Sequence, residues 1–126
     1  LSELTFFTYP SCTSCRKTKH WLKGNGIPFE ERHLFNETPT RDELKRILEL
    51  TTEGIDEILA TRSRTFKALN LNIDEMTLSE VLELLEREPR LLRRPIITDG
   101  MKLIVGYNPQ ELPKLMKKNT LERSAI

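Results

Sequence analysis

The chain has only two cysteines, and they stand together as Cys12-Thr13-Ser14-Cys15. Just before them, Leu4-Thr5-Phe6-Phe7-Thr8-Tyr9 is aromatic and β-branched and Pro10 stops it, a pattern that predicts a strand. Just after them, Thr18, Trp21 and Leu22 form the inner stripe of a helix from about Ser14 to Asn25, ended by Gly24 and Gly26. Both thiols therefore lie where a strand turns into a helix. A small secreted scaffold would spread its cysteines to close long loops. A disulfide across so short a loop removes little chain entropy, so the pair suits chemistry better than stapling. The compartment expected for such a pair is the cytoplasm.

The remaining elements follow in order. Phe29 to Leu34 alternates apolar with polar residues and predicts a second strand. Thr40-x-x-Glu43 and Thr77-x-x-Glu80 are capping boxes. They open helices whose inner faces are Leu44, Ile47, Leu48 and Leu78, Val81, Leu82, Leu85. Ile55, Ile58 and Leu59 repeat helical spacing after Gly54, Phe66 and Leu69 fit a further short helix, and Pro89 ends the run. Two apolar stretches, 95–98 and 102–105, flank Asp99-Gly100, a strong hairpin signal. Asn108-Pro109 starts a last helix, which Pro113 should shorten or kink. The order is βαβ, several helices, a hairpin and a helix. That is an α/β chain with a thioredoxin-like fold carrying a helical insertion. In a chain of 126 residues the expectation is one domain. Its core spans about 4–38 and 90–118, its insertion about 39–89, and the tail 119–126 has no clear pattern.

Free N–H groups and a partial positive charge at a helix start favour a thiolate. Cys12 is thus the expected exposed nucleophile and Cys15 the buried resolving thiol. Half of a zinc site and two inert core cysteines are the other readings. Zinc needs four ligands, and neither a second Cys pair nor a His-x₃₋₅-His is present. His20 and His33 are assigned structural or solvent-facing roles, and no metal or cofactor is expected. In thioredoxin-like proteins a cis-proline opens the strand facing the thiols, and Pro95 is the candidate. Arg93 and Arg94 would then lie near Cys12, joined by Arg62 and Arg64. The four either hold an anion by bidentate contacts or act as separate solvated charges. Gly54 either ends a helix or lets a partner approach the backbone. Twenty basic and nineteen acidic residues give a net charge of +1, which does not suit a stand-alone nucleic-acid binder. No apolar run approaches about 20 residues, so no transmembrane helix is expected. No charged n-region leads into an apolar h-region either, so no secretory signal is expected.

Several runs together resemble Spx-type transcriptional regulators, within the arsenate-reductase-like (ArsC) branch of thioredoxin-like proteins. They are Pro10-Ser11-Cys12-Thr13-Ser14-Cys15-Arg16-Lys17, Ile27-Pro28-Phe29 with Glu31-Arg32, and Thr51 with Gly54 and Asp56-Glu57-Ile58. To these add Thr61-Arg62-Ser63, Leu91-Leu92-Arg93-Arg94-Pro95-Ile96-Ile97 and Val105-Gly106-Tyr107-Asn108. The likeness spans about residues 4–118. It implies a stress-response regulator, not an enzyme, that binds the C-terminal domain of the RNA polymerase α subunit. It implies contact with promoter DNA only within the polymerase complex, and control by an ATP-dependent protease. Carried onto this chain, Cys12 and Cys15 form the redox-switch disulfide, Gly54 lies on the polymerase contact surface, and Arg62 and Arg94 form a polar relay beside the disulfide. Glu49 departs from the pattern, which has a basic residue there, and the tail 121–126 matches poorly. The rivals on the same fold are a glutaredoxin- or thioredoxin-coupled arsenate reductase and a small thiol-disulfide oxidoreductase. The reductases have Cys-x-x-Ser-Arg at the first turn, where this chain has Cys15.

Overall fold

The computed structural model describes residues 4–116. The tail 119–126 lies outside the described residues. Four strands, β1 (Thr5–Thr8), β2 (Glu30–His33), β3 (Ile96–Thr98) and β4 (Leu103–Val105), form one sheet in the order β2-β1-β3-β4. β1 pairs with β2 in parallel and with β3 antiparallel, and β3 pairs with β4 antiparallel. Helix α1 (Thr13–Gly24) connects β1 to β2, as a parallel pair requires. Helices α2 (Arg41–Leu50), α3 (Arg64–Leu69) and α4 (Leu78–Arg87) come between β2 and β3. This is the thioredoxin-like arrangement.

Alternation along β1 builds two cores. Phe6 packs with Leu22, Ile27, Ile97, Ile104, Leu112 and Leu115 on one face of the sheet. Phe7 packs with Leu34, Leu44, Ile47, Leu82, Leu85 and Ile96 on the other. The first core takes in α1, and the second takes in α2 and α4. Both expected capping boxes form. Thr40 Oγ1 accepts from the Glu43 N–H while Glu43 accepts from the Thr40 N–H, and Thr77 and Glu80 do the same. Glu43 has a second task. Its other carboxylate oxygen takes a hydrogen bond from Arg32 of β2, whose guanidinium also lies 4.7 Å from the Phe7 ring centroid. Partial burial works against the Glu43 charge. The hydrogen bonds from Arg32 and the Thr40 N–H outweigh it and hold the pKa below the usual carboxylate value.

Four sequence expectations need correction. β2 is built from Glu30, Glu31, Arg32 and His33, with the apolar Phe29 and Leu34 outside it. It is an edge strand, and charged side chains suit an edge because they discourage pairing with another chain. The residues after Gly54 form a 3-10 turn, Gly54–Glu57, not an α-helix. Ile58 and Leu59 are still buried, because Leu59 bridges to Leu92 and the Arg93 N–H donates to the Ile58 carbonyl at 2.8 Å. Leu78, expected inward, is 57% exposed at the first position of α4, and Leu69 is exposed at the end of α3. The expected hairpin does form, with Thr98 paired to Leu103 across a loop of four residues, 99–102. The Asp99 carboxylate accepts from the N–H groups of Met101 and Lys102 at 2.8 Å each, with Gly100 at φ +88°. At the last helical segment, the Leu112 N–H bonds the Asn108 carbonyl at 3.0 Å, and the helix proper starts only at Pro113. Among the described residues no helix is long and apolar enough to cross a membrane.

The contrast between two leucines of α4 is measurable. Leu85 is fully buried, so Leu85→Ala should cost about 2–5 kcal/mol in urea unfolding. Leu78→Ala should stay within about 0.5 kcal/mol of wild type. Equal losses would contradict the orientation of α4.

Candidate thiol site

The turn after β1 places the two sulfurs. The Cys12 N–H donates to the Tyr9 carbonyl at 3.0 Å. Arg16 reaches back with Nη1 to the Pro10 carbonyl at 2.9 Å, tying the turn to the helix that follows. Cys12 is itself the N-cap of α1. Its extended backbone (φ −90°, ψ 120°) turns its Sγ to accept from the Cys15 N–H at 3.2 Å. A sulfur thus stands where Ser, Thr or Asp usually caps a helix. Cys12 is half-buried and Cys15 is buried, and both are free thiols here. Burial, reinforced by the hydrogen bond with Cys12, pushes the Cys15 thiol up to about 11. The pair is asymmetric: one sulfur meets solvent and backbone donors, and the other is kept protonated by the core.

An open cleft of about 630 Å³ begins at Cys12 and is lined also by Asp56, Thr61, Arg62, Arg93 and Arg94. Of the four arginines singled out by sequence, three line it and Arg64 does not. Each of the three does something different. Arg62 is exposed and has no hydrogen-bond or ion-pair partner among the described residues. Arg93 Nη1 donates to the Glu57 carbonyl at 3.3 Å. Arg94 Nη1 donates to the carbonyls of Leu92 at 3.2 Å and Arg90 at 3.4 Å. Its guanidinium lies 5.9 Å from the Tyr9 ring centroid and 5.6 Å from that of Phe35. The Arg94–Pro95 peptide bond is cis, at the entry to β3 beside β1.

Gly54 is half-buried with φ +82°, and nothing lies within 4 Å of where a Cβ would stand. Its conformation suits glycine, and the space above it is open. Sequence reasoning missed what holds this turn. Glu57 Oε1 accepts from the N–H of Thr52 at 3.1 Å, its hydroxyl at 2.6 Å, and the N–H of Glu53 at 3.1 Å. The Thr52 hydroxyl and these amides hold the Glu57 carboxyl below its ordinary value. A carboxylate folding back onto preceding amides has no fixed sequence signature, so nothing in the pattern announced it. His33 is the last residue of β2 and caps the turn that follows. Its Nδ1 accepts from the N–H groups of Phe35 and Asn36 at 3.2 Å each. His20 is exposed on α1.

The ArsC family model matches residues 7–115. Regulatory protein MgsR of Bacillus subtilis is 72% identical over 123 residues, which is 98% of either chain. Global transcriptional regulator Spx of Listeria innocua is 47% identical over 115 residues, covering 91% of this chain and 88% of that one. The crystal structure of an ArsC family related protein from Bacteroides fragilis superimposes with a TM-score of 0.83 at 31% identity. That match covers 90% of this chain and 97% of the other.

Thiol labelling tests the asymmetry. With Cys15 at about 11, only about one Cys15 in a thousand is thiolate at pH 8. Iodoacetamide should therefore modify Cys12 first in the folded, reduced protein, with Cys15 reacting only after unfolding. Peptide mapping that finds both labelled at one rate would refute it. A raised thiol pKa also stabilises the fold fully below the ordinary value near 8.5. That contribution is lost as pH climbs through about 11.

Proposed function

This chain belongs to the ArsC family, and on that premise we propose that it is a redox-sensing transcriptional regulator that binds the C-terminal domain of the RNA polymerase α subunit. The observation that carries the reading is the second thiol. Cys15 is buried in the first turn of α1 directly behind Cys12, and relatives with regulator names match over almost the whole chain. A peroxide serves as the oxidant. The Cys12 thiolate attacks one peroxide oxygen, the O–O bond breaks, and the leaving oxygen departs as water after taking a proton. Cys12 is then a sulfenic acid. The Cys15 sulfur attacks it and gives up its proton, the S–S bond forms, and a second water leaves. Two thiols lose two electrons and the peroxide gains them.

The same arrangement works against arsenate reduction. A sulfur offered to arsenate has an intramolecular partner that closes faster than an external thiol can arrive. Arg62 and Arg94 act as the polar relay between the thiol pair and the surface, with Arg94 held on main-chain carbonyls near Pro95. Gly54 lies on the polymerase-facing surface, where the open space over its backbone leaves room for a partner. Action on promoter DNA is confined to the polymerase complex, in keeping with a net charge of +1. The regulator works in the cytoplasm, and an ATP-dependent protease sets its level.

Calorimetry against the isolated α-subunit domain tests the partner. The positive φ at Gly54 means any side chain there is strained by about 1–2 kcal/mol. Gly54→Ala and Gly54→Arg should therefore lose similar stability. Only Gly54→Arg, with its long charged side chain, should lose binding. Arg binding as tightly as Ala would remove Gly54 from the interface.

The switch has its own test. Cys12→Ser and Cys15→Ser should each abolish oxidant-dependent transcription with purified polymerase. Wild type should show no arsenate turnover coupled to glutaredoxin or thioredoxin. A rate near 1 s⁻¹, the low end for ordinary enzymes, would make it a reductase instead.

A further inference from the structure

A second concavity lies on the outer face of α1, away from the Cys12 cleft and without Gly54. It holds about 460 Å³ and is lined by Arg16, Lys17, His20, Trp21 and Tyr107. Two aromatic residues and three basic ones share it. No carboxylate pairs with Arg16, Lys17 or His20 among the described residues, although Lys19 on the same helix has Glu31 at 2.9 Å. The first turn of α1 contains no acidic residue, and Arg16 and Lys17 follow immediately. Cations near a helix N-terminus oppose its dipole. The helix therefore carries uncompensated positive charge where its own electrostatics disfavour it.

We propose that this groove is a docking site for an acidic peptide segment bearing an apolar side chain. Charge complementarity selects carboxylates, because the side chains lining the groove that can carry charge near neutral pH, Arg16, Lys17 and His20, are all basic. Trp21 packs on the core beneath, so an apolar side chain gains a floor, and Tyr107, 38% exposed, positions the Lys17 ammonium. Nucleic acid fits less well. The Lys17 ammonium lies 5.8 Å from the Tyr107 ring centroid and covers the face on which a base would stack. The chain as a whole is nearly neutral, where a nucleic-acid binder carries a basic excess. The surface adds to the proposed polymerase contact at Gly54 and does not depend on it.

Trp21 is the only tryptophan in the chain, so its emission reports on this groove directly. The reduced full chain should be titrated with acetyl-Asp-Glu-Leu-Asp-Glu-Leu-amide, with its lysine-for-acid counterpart, and with oligothymidylate. The acidic peptide should give a saturable change in Trp21 emission below about 1 mM, weakened by added salt. Lys17→Glu and Tyr107→Ala should each weaken it about tenfold, with circular dichroism and thermal melting unchanged. The basic peptide should give no saturable change. Four outcomes would overturn the proposal: no saturation with the acidic peptide, equal affinity for both peptides, unchanged affinity in Lys17→Glu, or tighter binding of oligothymidylate. An emission change that grows with protein concentration alone would also overturn it, by making a second copy of the chain the occupant.

Discussion

Strand β1 is the constraint on which the rest of the molecule depends. It is only four residues long, yet it is hydrogen-bonded on both sides, to β2 and to β3. Phe6 and Phe7 are essentially inaccessible and point into opposite cores. A one-residue slip would exchange the two rings and disrupt both cores together. With the register pinned in this way, the chain leaving β1 at Thr8 has one path, and the turn at Tyr9-Pro10-Ser11 delivers Cys12 to the start of α1.

The helical segment between β2 and β3 does more than cover one face of the sheet. Glu43 joins it to β2 through Arg32, and the pairing of Leu59 with Leu92 joins it to the approach to β3. The Ala60 N–H on the Leu91 carbonyl, at 2.7 Å, adds to that second joint. These joints make residues 56–63 and 92–94 the walls of the cleft at Cys12. The same stretch has Gly54 and the Glu57 clamp at its other end. Arg93, bonded to the Glu57 carbonyl, touches both regions, so the thiols and the glycine turn belong to one continuous piece of structure.

Much of this was legible in the residues. Capping boxes at Thr40 and Thr77, the strand before Cys12 and the helix after it all depend on neighbours within one or two turns, and local rules read them correctly. The failures share a cause. Leu78 fits a helical stripe, but it sits where α4 begins, before the helix reaches the core. Ile58 and Leu59 have helical spacing, but their burial comes from a bridge to Leu92, more than thirty residues away. Glu30 to His33 looks unlike a buried strand because it is an edge, and only the sheet order says which strand is the edge.

The sequence alone determined the chemistry available: two thiols within one helical turn, at a strand-to-helix junction, with cations next to them. That follows from covalent spacing and helix geometry, which need no long-range contact. Tertiary structure decided how the two sulfurs differ and what faces them. Cys15 is buried because α1 lies against the sheet, and that burial raises its pKa. Arg62, Arg93 and Arg94 share a cleft with Cys12 because distant segments are joined by main-chain hydrogen bonds, while Arg64, two residues from Arg62, does not line it. Residues close in the chain can part and distant ones can meet, since burial and hydrogen-bond satisfaction are properties of the packed whole.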